Sequence, residues 1–497
     1  MTEPCDLPAI EARRLIGVKR LAPSELLESC IARIEAVDHA VNAMPARDFD
    51  RARKTARQAD DDVARGAALG ALHGLPIGIK DLEETAGLVT THGSVIFKNN
   101  VPAEDERIVA AARAAGAIVI GKTNTPEFGA GANTRNAVYG VTGNPFDPEK
   151  SAAGSSGGSA VALALGMAPI CTGSDTGGSL RNPASFSGIV GFRPSPGLVP
   201  SDRRMIGWSN LPVLGPMART VADTCLLLGS IVSDDVCDPL AYSVHGRTIR
   251  TPEAFYPPPA IDLSTLRVAL TPDFGFAPTE RHIADLFTEK TGLFRHVFGH
   301  TEDTSPDCSG TDEAFEVLRS LSFLTAHADK VRDRPNDVGP NVHANVAEGL
   351  RYSATDVARA MTLQTQIYRR WQGFFKNHDI ILTPSITISP RSWRELFPAE
   401  IDGEPTRTYF HWLALAYAVT LPGHPALSLP MGTDRHGMPY GLQIVGPRGG
   451  DALVLAVAHA LETLLAGDVR TARPLPDLAK LRAAKPIRDA EGFLGFD

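Results

Sequence analysis

An α/β fold, with a sheet covered by helices on both faces, is predicted by one recurrence in this chain. A helical pattern followed by a short apolar strand appears at 104–120, at 159–173 and at about 353–384. Apolar runs of this length without alternation read as strands buried on both faces. Helices that alternate with such runs are the pattern of layered α/β proteins.

The first helix spans Pro23 to Val37, "PSELLESCIARIEAV", where Leu27, Ile31 and Ile34 share one face behind a Ser/Glu start. Next, "EDERIVAAARAAG" predicts a helix over 104–116 with acids in its first turn and a glycine after its last, followed by the strand "AIVIG". "SAVALALG" from Ser159 and "MAPICTG" repeat the order. From Asp234 to about Thr406 the chain turns to proline clusters such as "YPPP" and irregular polar stretches, so this segment reads as peripheral and variable. Within it, a long helix from about Ser353 to Phe375 precedes "DIILTP". The core returns over about 407–470 with "TLPGHPALSLPMGTDRHGMPYGLQIVGP", two strand-like runs about a Gly-containing turn, and a helix from Asp451. A single domain over 1–497 is the expectation, with its most ordered motifs between about 74 and 230.

Composition narrows the function. Among 497 residues, 43% are hydrophobic and 21% charged, enough for a large core and inconsistent with wholesale disorder. The 49 Lys and Arg against 57 Asp and Glu give a net charge of -8, and no basic block is long enough to track phosphates. Direct nucleic-acid binding is therefore disfavoured. The start, "MTEPCDLPAIEARRLIG", lacks the basic and apolar regions of a signal peptide, and no apolar run approaches a membrane span, so the expected location is cytoplasmic. Six dispersed cysteines form no C-x-x-C pair and read as reduced thiols filling the core. No cluster suits structural zinc.

Two short patterns suggest chemistry and fail on context. Gly116, Gly121, Lys122 and Thr123 fit a phosphate-binding G-x-x-x-x-G-K-[ST] loop, but the four residues between the glycines are Ala-Ile-Val-Ile, which favour a strand. A nucleotide-binding protein remains the rival this pattern supports. Gly154, Ser156 and Gly158 fit the G-x-S-x-G elbow of an α/β-hydrolase esterase, yet the polar "NPFDPEKSAA" stands where an apolar strand should be.

Taken together, longer motifs say more. "GLPIGIKD", "AAGSSGGSAVALALG", "GSDTGGSLRNPASFSGIVGFRPSPG" and "LGPMARTVAD" occur in order between Gly74 and Leu228, and "GHPALSLPMG" with "GMPYGLQIVGP" follows. The chain resembles the amidase signature family. The resemblance implies a mixed sheet between helical layers and hydrolysis of a carboxylic amide without metal or organic cofactor. It also implies Ser179 as nucleophile, Lys80 as the ultimate base, and Ser155 as the serine that relays the proton, with a cis peptide joining Gly154 to Ser155. Backbone N–H groups of Thr176, Gly177, Gly178 and Ser179 would form the oxyanion hole. Asp175 and Arg181 match family positions and read as a brace for the nucleophile loop.

The lysine must be unusual for this to work. With an ordinary pKa of about 10.4, only about 1 lysine in 2,500 is neutral at pH 7. A drop to about 7 asks for about 4.6 kcal/mol of discrimination against the charged form, which burial can supply.

Two departures from the family pattern stand out: Ala152 and Ala153 replace the usual proline and glycine, and Thr420-Leu421-Pro422 precedes Gly423 where asparagine is common. The apolar Met205, Ile206 and Trp208, with the variable segment, are expected to form the acyl side of the pocket. This points to a small hydrophobic or aromatic amide, anilide or carbamate, with a homodimer compatible with the family. The glutaminase subunit of a tRNA-dependent amidotransferase carries the same signature and is the main alternative.

Overall fold

A computed structural model describes residues 3–241 and 251–494. Eleven strands form its central sheet: β1 (Ala46–Arg47), β2 (Pro76–Lys80), β3 (Ile118–Thr123), β4 (Ile170–Asp175), β5 (Val190–Arg193), β6 (Val213–Ala218), β7 (Arg267–Leu270), β8 (His300–Asp303), β9 (Ile380–Pro384), β10 (Ala426–Thr433) and β11 (Pro439–Val445). Their spatial order is β1-β3-β2-β4-β6-β5-β10-β11-β9-β7-β8. From β4 to β9 neighbours run antiparallel. On one side of that block β2 pairs in parallel with β3 and β4, and on the other β7 pairs in parallel with β8 and β9. The sheet is therefore mixed.

Every residue of β2 and β3 is buried. Because successive side chains of a strand point to opposite faces, complete burial means that both faces are covered there. Helices flank the sheet: α1 (Pro23–Val37), α2 (Arg107–Ala114), α3 (Gly157–Ala164), α4 (Arg181–Ser187) and α7 (Asp451–Leu465), with α5 (Thr311–Asp333) and α6 (Ala354–Phe374) packed on each other in a second core with Ile381 of β9 and Val445 of β11. α1 has the predicted bounds and buries Leu27, Ile31 and Ile34, each contributing about 2 kcal/mol of hydrophobic stabilisation.

Two expectations need correction. The acids of 104–116 do not form a first helical turn, since α2 starts at Arg107. They serve a neighbouring loop instead: Glu106 accepts from the Glu84 N–H at 3.1 Å and Asp105 from that of Ala86 at 2.7 Å. Nor is the segment from Asp234 to Thr406 merely peripheral. It supplies β7, β8 and β9 to the sheet, with Val268, Ala269, Ile380, Ile381 and Leu382 all in the core. β7 and β8 are only four residues long and sit between polar stretches, which hid them, whereas β9 is the strand read at "DIILTP". Residues 242–250 of the segment lie outside the described residues.

Five cysteines are buried and Cys237 is exposed, and none is in a disulfide. Among the described residues no helix is long and apolar enough to cross a membrane.

Candidate active site

β2 carries Lys80 to the end of the sheet and buries it completely. The strand is held tightly between its neighbours: a Cβ on Gly78 would lie 2.8 Å from Cys171 Sγ and 3.0 Å from Thr123 Cγ2. The Lys80 N–H donates to Thr172 Oγ1 at 3.1 Å. Beyond it, Lys80 Nζ reaches three hydroxyls, Ser155 and Ser156 at 2.8 Å and Ser174 at 2.9 Å. No carboxylate among the described residues comes within ion-pair distance of Nζ. With hydroxyls in place of a counter-ion, burial pulls the Lys80 ammonium down to about 7, only partly opposed by the charges of Glu83 and Asp175. Burial pushes the Glu83 carboxyl up in turn.

The two serines beside Lys80 come from the turn that opens α3. Ser156 is the residue before the helix, and the Gly154–Ser155 peptide is cis. The glycines after them have a packing reason: a Cβ on Gly158 would lie 2.2 Å from the Asn124 backbone nitrogen and 2.6 Å from the Ala43 carbonyl oxygen. Ala153, where the family usually has glycine, adopts φ 56°, the left-handed region. Its carbonyl is fixed there by the Thr134 N–H at 3.0 Å and the Thr134 hydroxyl at 2.7 Å.

Ser179 follows β4 in the turn that leads to α4. Asp175 organises that turn. Its carboxylate accepts from the N–H groups of Gly178 at 3.0 Å and Leu180 at 3.1 Å, and pairs with Arg181 at 2.9 Å and Arg193 at 3.1 Å. All three charged groups are fully buried, and despite burial the two guanidinium groups hold the Asp175 carboxyl well below the usual range. Arg181 also donates to Thr420 Oγ1 at 3.1 Å, so the departure at Thr420 lies under the nucleophile loop rather than in the cleft.

This arrangement changes the expected oxyanion hole. Gly178 spends its N–H on Asp175, whereas Thr176, Gly177 and Ser179 line a cleft and their N–H groups have no partner among the described residues. Gly178, at φ 100°, provides the turn itself. The Ser179 hydroxyl likewise has no hydrogen bond among the described residues and is free to turn toward a carbonyl or toward Ser155.

The cleft holds about 120 Å³ and is lined by Ser155, Ser174 and Ser179 on one wall, with Leu82, Phe128, Phe315, Phe323 and Leu413 as its apolar part and Arg319 and Tyr409 beside them. Met205, Ile206 and Trp208 are not among its lining. Met205 and Trp208 are 70% and 79% exposed on a surface turn after β5. Apolar character in a sequence does not disclose which way a turn faces. Sequence reasoning also missed Phe315, Arg319 and Phe323, which repeat at every fourth residue of α5, a spacing that marks one helix face. Ser174 could have been found: it lies two residues after Thr172 on β4, and therefore on the same face.

Lys122 and Thr123 occupy β3 and are fully buried, with Nζ donating to Thr85 Oγ1 at 2.9 Å and to the Glu83 carbonyl. A buried strand, not a phosphate-cradling loop, carries that pattern. Ser156 follows no strand of the kind an esterase elbow needs. For a metal, among the described residues Glu3, Cys5 and Asp6 bring ligand atoms within 4.8 Å of one another, but Arg33 already pairs with Glu3 at 2.7 Å and with Asp6 at 3.0 Å.

The mixed sheet thus buries a lysine against serine hydroxyls beside a cleft lined by Ser155, Ser174 and Ser179, the setting of a hydrolase. Similarity to known proteins makes the class specific. The family model described as Amidase matches residues 25–455. An acylamidase of Rhodococcus erythropolis is 30% identical over 92% of this chain and 95% of its own, and a glutamyl-tRNA(Gln) amidotransferase subunit of Picosynechococcus is 34% identical over 90% and 96%. The crystal structure of a bacterial aryl acylamidase superposes with a TM-score of 0.85 at 26% identity, covering 94% of this chain and 99% of that one. The chain belongs to the amidase signature family and is a hydrolase acting on the C–N bond of amides.

Proposed function

We propose that the protein hydrolyses the amide bond of a small substrate with an apolar or aromatic body, through an acyl-enzyme on Ser179. Ser179 Oγ attacks the carbonyl carbon while its proton passes to Ser155, whose own proton passes to neutral Lys80. The carbonyl oxygen gains negative charge and is met by the N–H groups of Thr176, Gly177 and Ser179. Collapse breaks the C–N bond as the leaving amine takes the proton back along the same path. Water then repeats the sequence and releases the acid.

The observation that carries this reading is the 2.8 Å separation of Lys80 Nζ and Ser155 Oγ inside a fully buried shell of hydroxyls, beside the cleft that Ser179 lines. The five apolar side chains of the cleft support the substrate class. Product release from a matched primary aryl amide, its anilide and the aryl carbamate, with Ser179→Ala as blank, tests it. Ammonia from the first alone marks a primary amidase, aromatic amine from the others an acylamidase or urethanase, and no Ser179-dependent turnover of any contradicts the reading.

The likeness to glutamyl-tRNA(Gln) amidotransferase subunits favours a second reading, a glutaminase that hands ammonia to a partner protein. Turnover confined to glutamine, and dependent on a co-purifying partner, would establish it.

A further inference from the structure

On the wall facing Ser179, Arg319 is a cation in an unusual setting. It is only 6% exposed and lies on the lining of the cleft. Three aromatic rings surround it, with the guanidinium carbon 4.5 Å from the centroid of Phe323, 4.8 Å from Tyr409 and 4.6 Å from Phe410. Its one hydrogen-bond partner among the described residues is Asn345, whose Oδ1 accepts from Nη1. Asn345 is itself oriented, donating to Tyr409 Oη at 2.7 Å and to the Asn341 carbonyl at 2.6 Å.

A guanidinium has five N–H donors and stays charged at neutral pH, and aromatic faces accept none of those donors in the way an oxygen does. Yet no carboxylate among the described residues forms an ion pair with Arg319. Glu348 is the acid whose charge acts on it, from beyond 4 Å, with one of its own oxygens engaged by Tyr352 Oη at 3.1 Å. Burial lowers the Arg319 pKa to about 9, as expected of a cation short of counter-charge. A buried arginine on the wall of a substrate cleft, with donors left over, has the chemistry to bind a planar anion through two parallel N–H···O bonds.

Position favours the substrate as source of that anion. Phe315 stands one turn before Arg319 on α5, about 6 Å along the helix axis, and the Phe315 ring is 3.4 Å from where a Cβ on Gly177 would be. Phe315 and Arg319 therefore line the same cleft as Thr176, Gly177 and Ser179 of the loop proposed to hold the oxyanion. The cleft lining contains no Asp or Glu, so a substrate ammonium would find no charged partner there.

We propose that Arg319 is a specificity-determining residue that binds a carboxylate on the substrate, making the preferred substrate class a monoanionic amide: an apolar or aromatic body with the scissile amide at one end and a carboxylate toward the other. This rests on the amide-hydrolase reading and adds the group by which the substrate is selected. A zwitterion such as glutamine fits less well, because its ammonium must also enter the cleft.

The test compares 4-carbamoylbenzoate with the neutral 4-methylbenzamide and with L-glutamine. First, binding is measured calorimetrically to Ser179→Ala, which leaves Arg319 in its native setting. Binding of 4-carbamoylbenzoate at least tenfold tighter than either of the others supports the proposal, and equal or weaker binding overturns it. Second, kcat/KM is measured for Arg319→Met and Arg319→Lys, with melting curves to check folding. The expected loss in Arg319→Met is at least 30-fold greater on the anion than on the neutral amide, with part of the difference restored in Arg319→Lys. Equal losses on both amides would assign Arg319 to packing alone. Selective binding of the anion by Ser179→Ala, with no turnover of any amide by the wild type, would instead sink the hydrolytic reading and leave the carboxylate site standing.

Discussion

Lys80 is the last residue of β2 and Lys122 the last but one of the neighbouring parallel β3, with Ile79 in register with Lys122 and Lys80 with Thr123, and both are completely buried. Their surroundings differ. Lys80 meets three hydroxyls beside the cleft, whereas Lys122 donates to the Thr85 hydroxyl and the Glu83 backbone carbonyl; the charge of Glu83 acts on both, joined by Asp175 at Lys80 and by Asp81 and Glu106 at Lys122. Burial lowers both, and nearby acids oppose the shift at both, more of them at Lys122. The lesson is that burial alone does not make a base. On our proposal the same residue type acts as base or as brace according to whether its hydroxyl partners lead to the cleft, as Ser155 does, or its partners tie down a loop, as Thr85 and the Glu83 carbonyl do.

Substitution should separate the two roles. Ser179→Ala is expected to lose about 10⁴-fold or more in kcat. Lys80→Met, which removes the base and keeps the bulk, should lose about 10³-fold while remaining folded by circular dichroism, since general-base loss costs about 10² to 10⁴. Lys122→Met should show the opposite balance: about 2 kcal/mol lost in urea unfolding, because buried acceptors lose their donor, with kcat per folded molecule changed by less than about tenfold. Large catalytic loss in Lys122→Met without loss of stability would break the contrast.

The pH profile sharpens it. Only neutral Lys80 can accept a proton, so the base is lost as pH falls through its own pKa. Initial rates should show kcat/KM falling tenfold per unit below about 7 and level above it. A profile flat down to pH 5 would mean that Lys80 is not the titrating base. The smallest effect belongs to Ala153→Gly. Relief of the left-handed strain, about 1 kcal/mol, is offset by the extra chain entropy of glycine, about 0.5–1 kcal/mol, leaving a net change in unfolding free energy under about 1 kcal/mol.

Lys80 and the serine turns stood out in sequence through the ordered motifs that carry the family resemblance, and close backbone approaches such as that at Gly158 constrain those motifs. The helix–strand alternation was legible because apolar periodicity is local to each element. The facing wall was not. Phe315 and Arg319 reach the cleft from α5, more than a hundred residues after Ser179, and in sequence a helix face with an arginine on it reads as solvated surface. Met205 and Trp208 show the converse, since an apolar stretch says nothing about which way its turn faces. Gly178 shows a finer limit: four consecutive N–H groups look equivalent until the Asp175 carboxylate is seen to take one.

We propose that Ser179, made reactive through Ser155 and neutral Lys80, is the residue that becomes acylated. Labelling with an active-site-directed fluorophosphonate, followed by peptide mapping by mass spectrometry, tests it most directly. A single adduct on Ser179 that forms far more slowly in Lys80→Met is the predicted result. An adduct on Ser155 or Ser156, or equal labelling of Ser179 without Lys80, would contradict it.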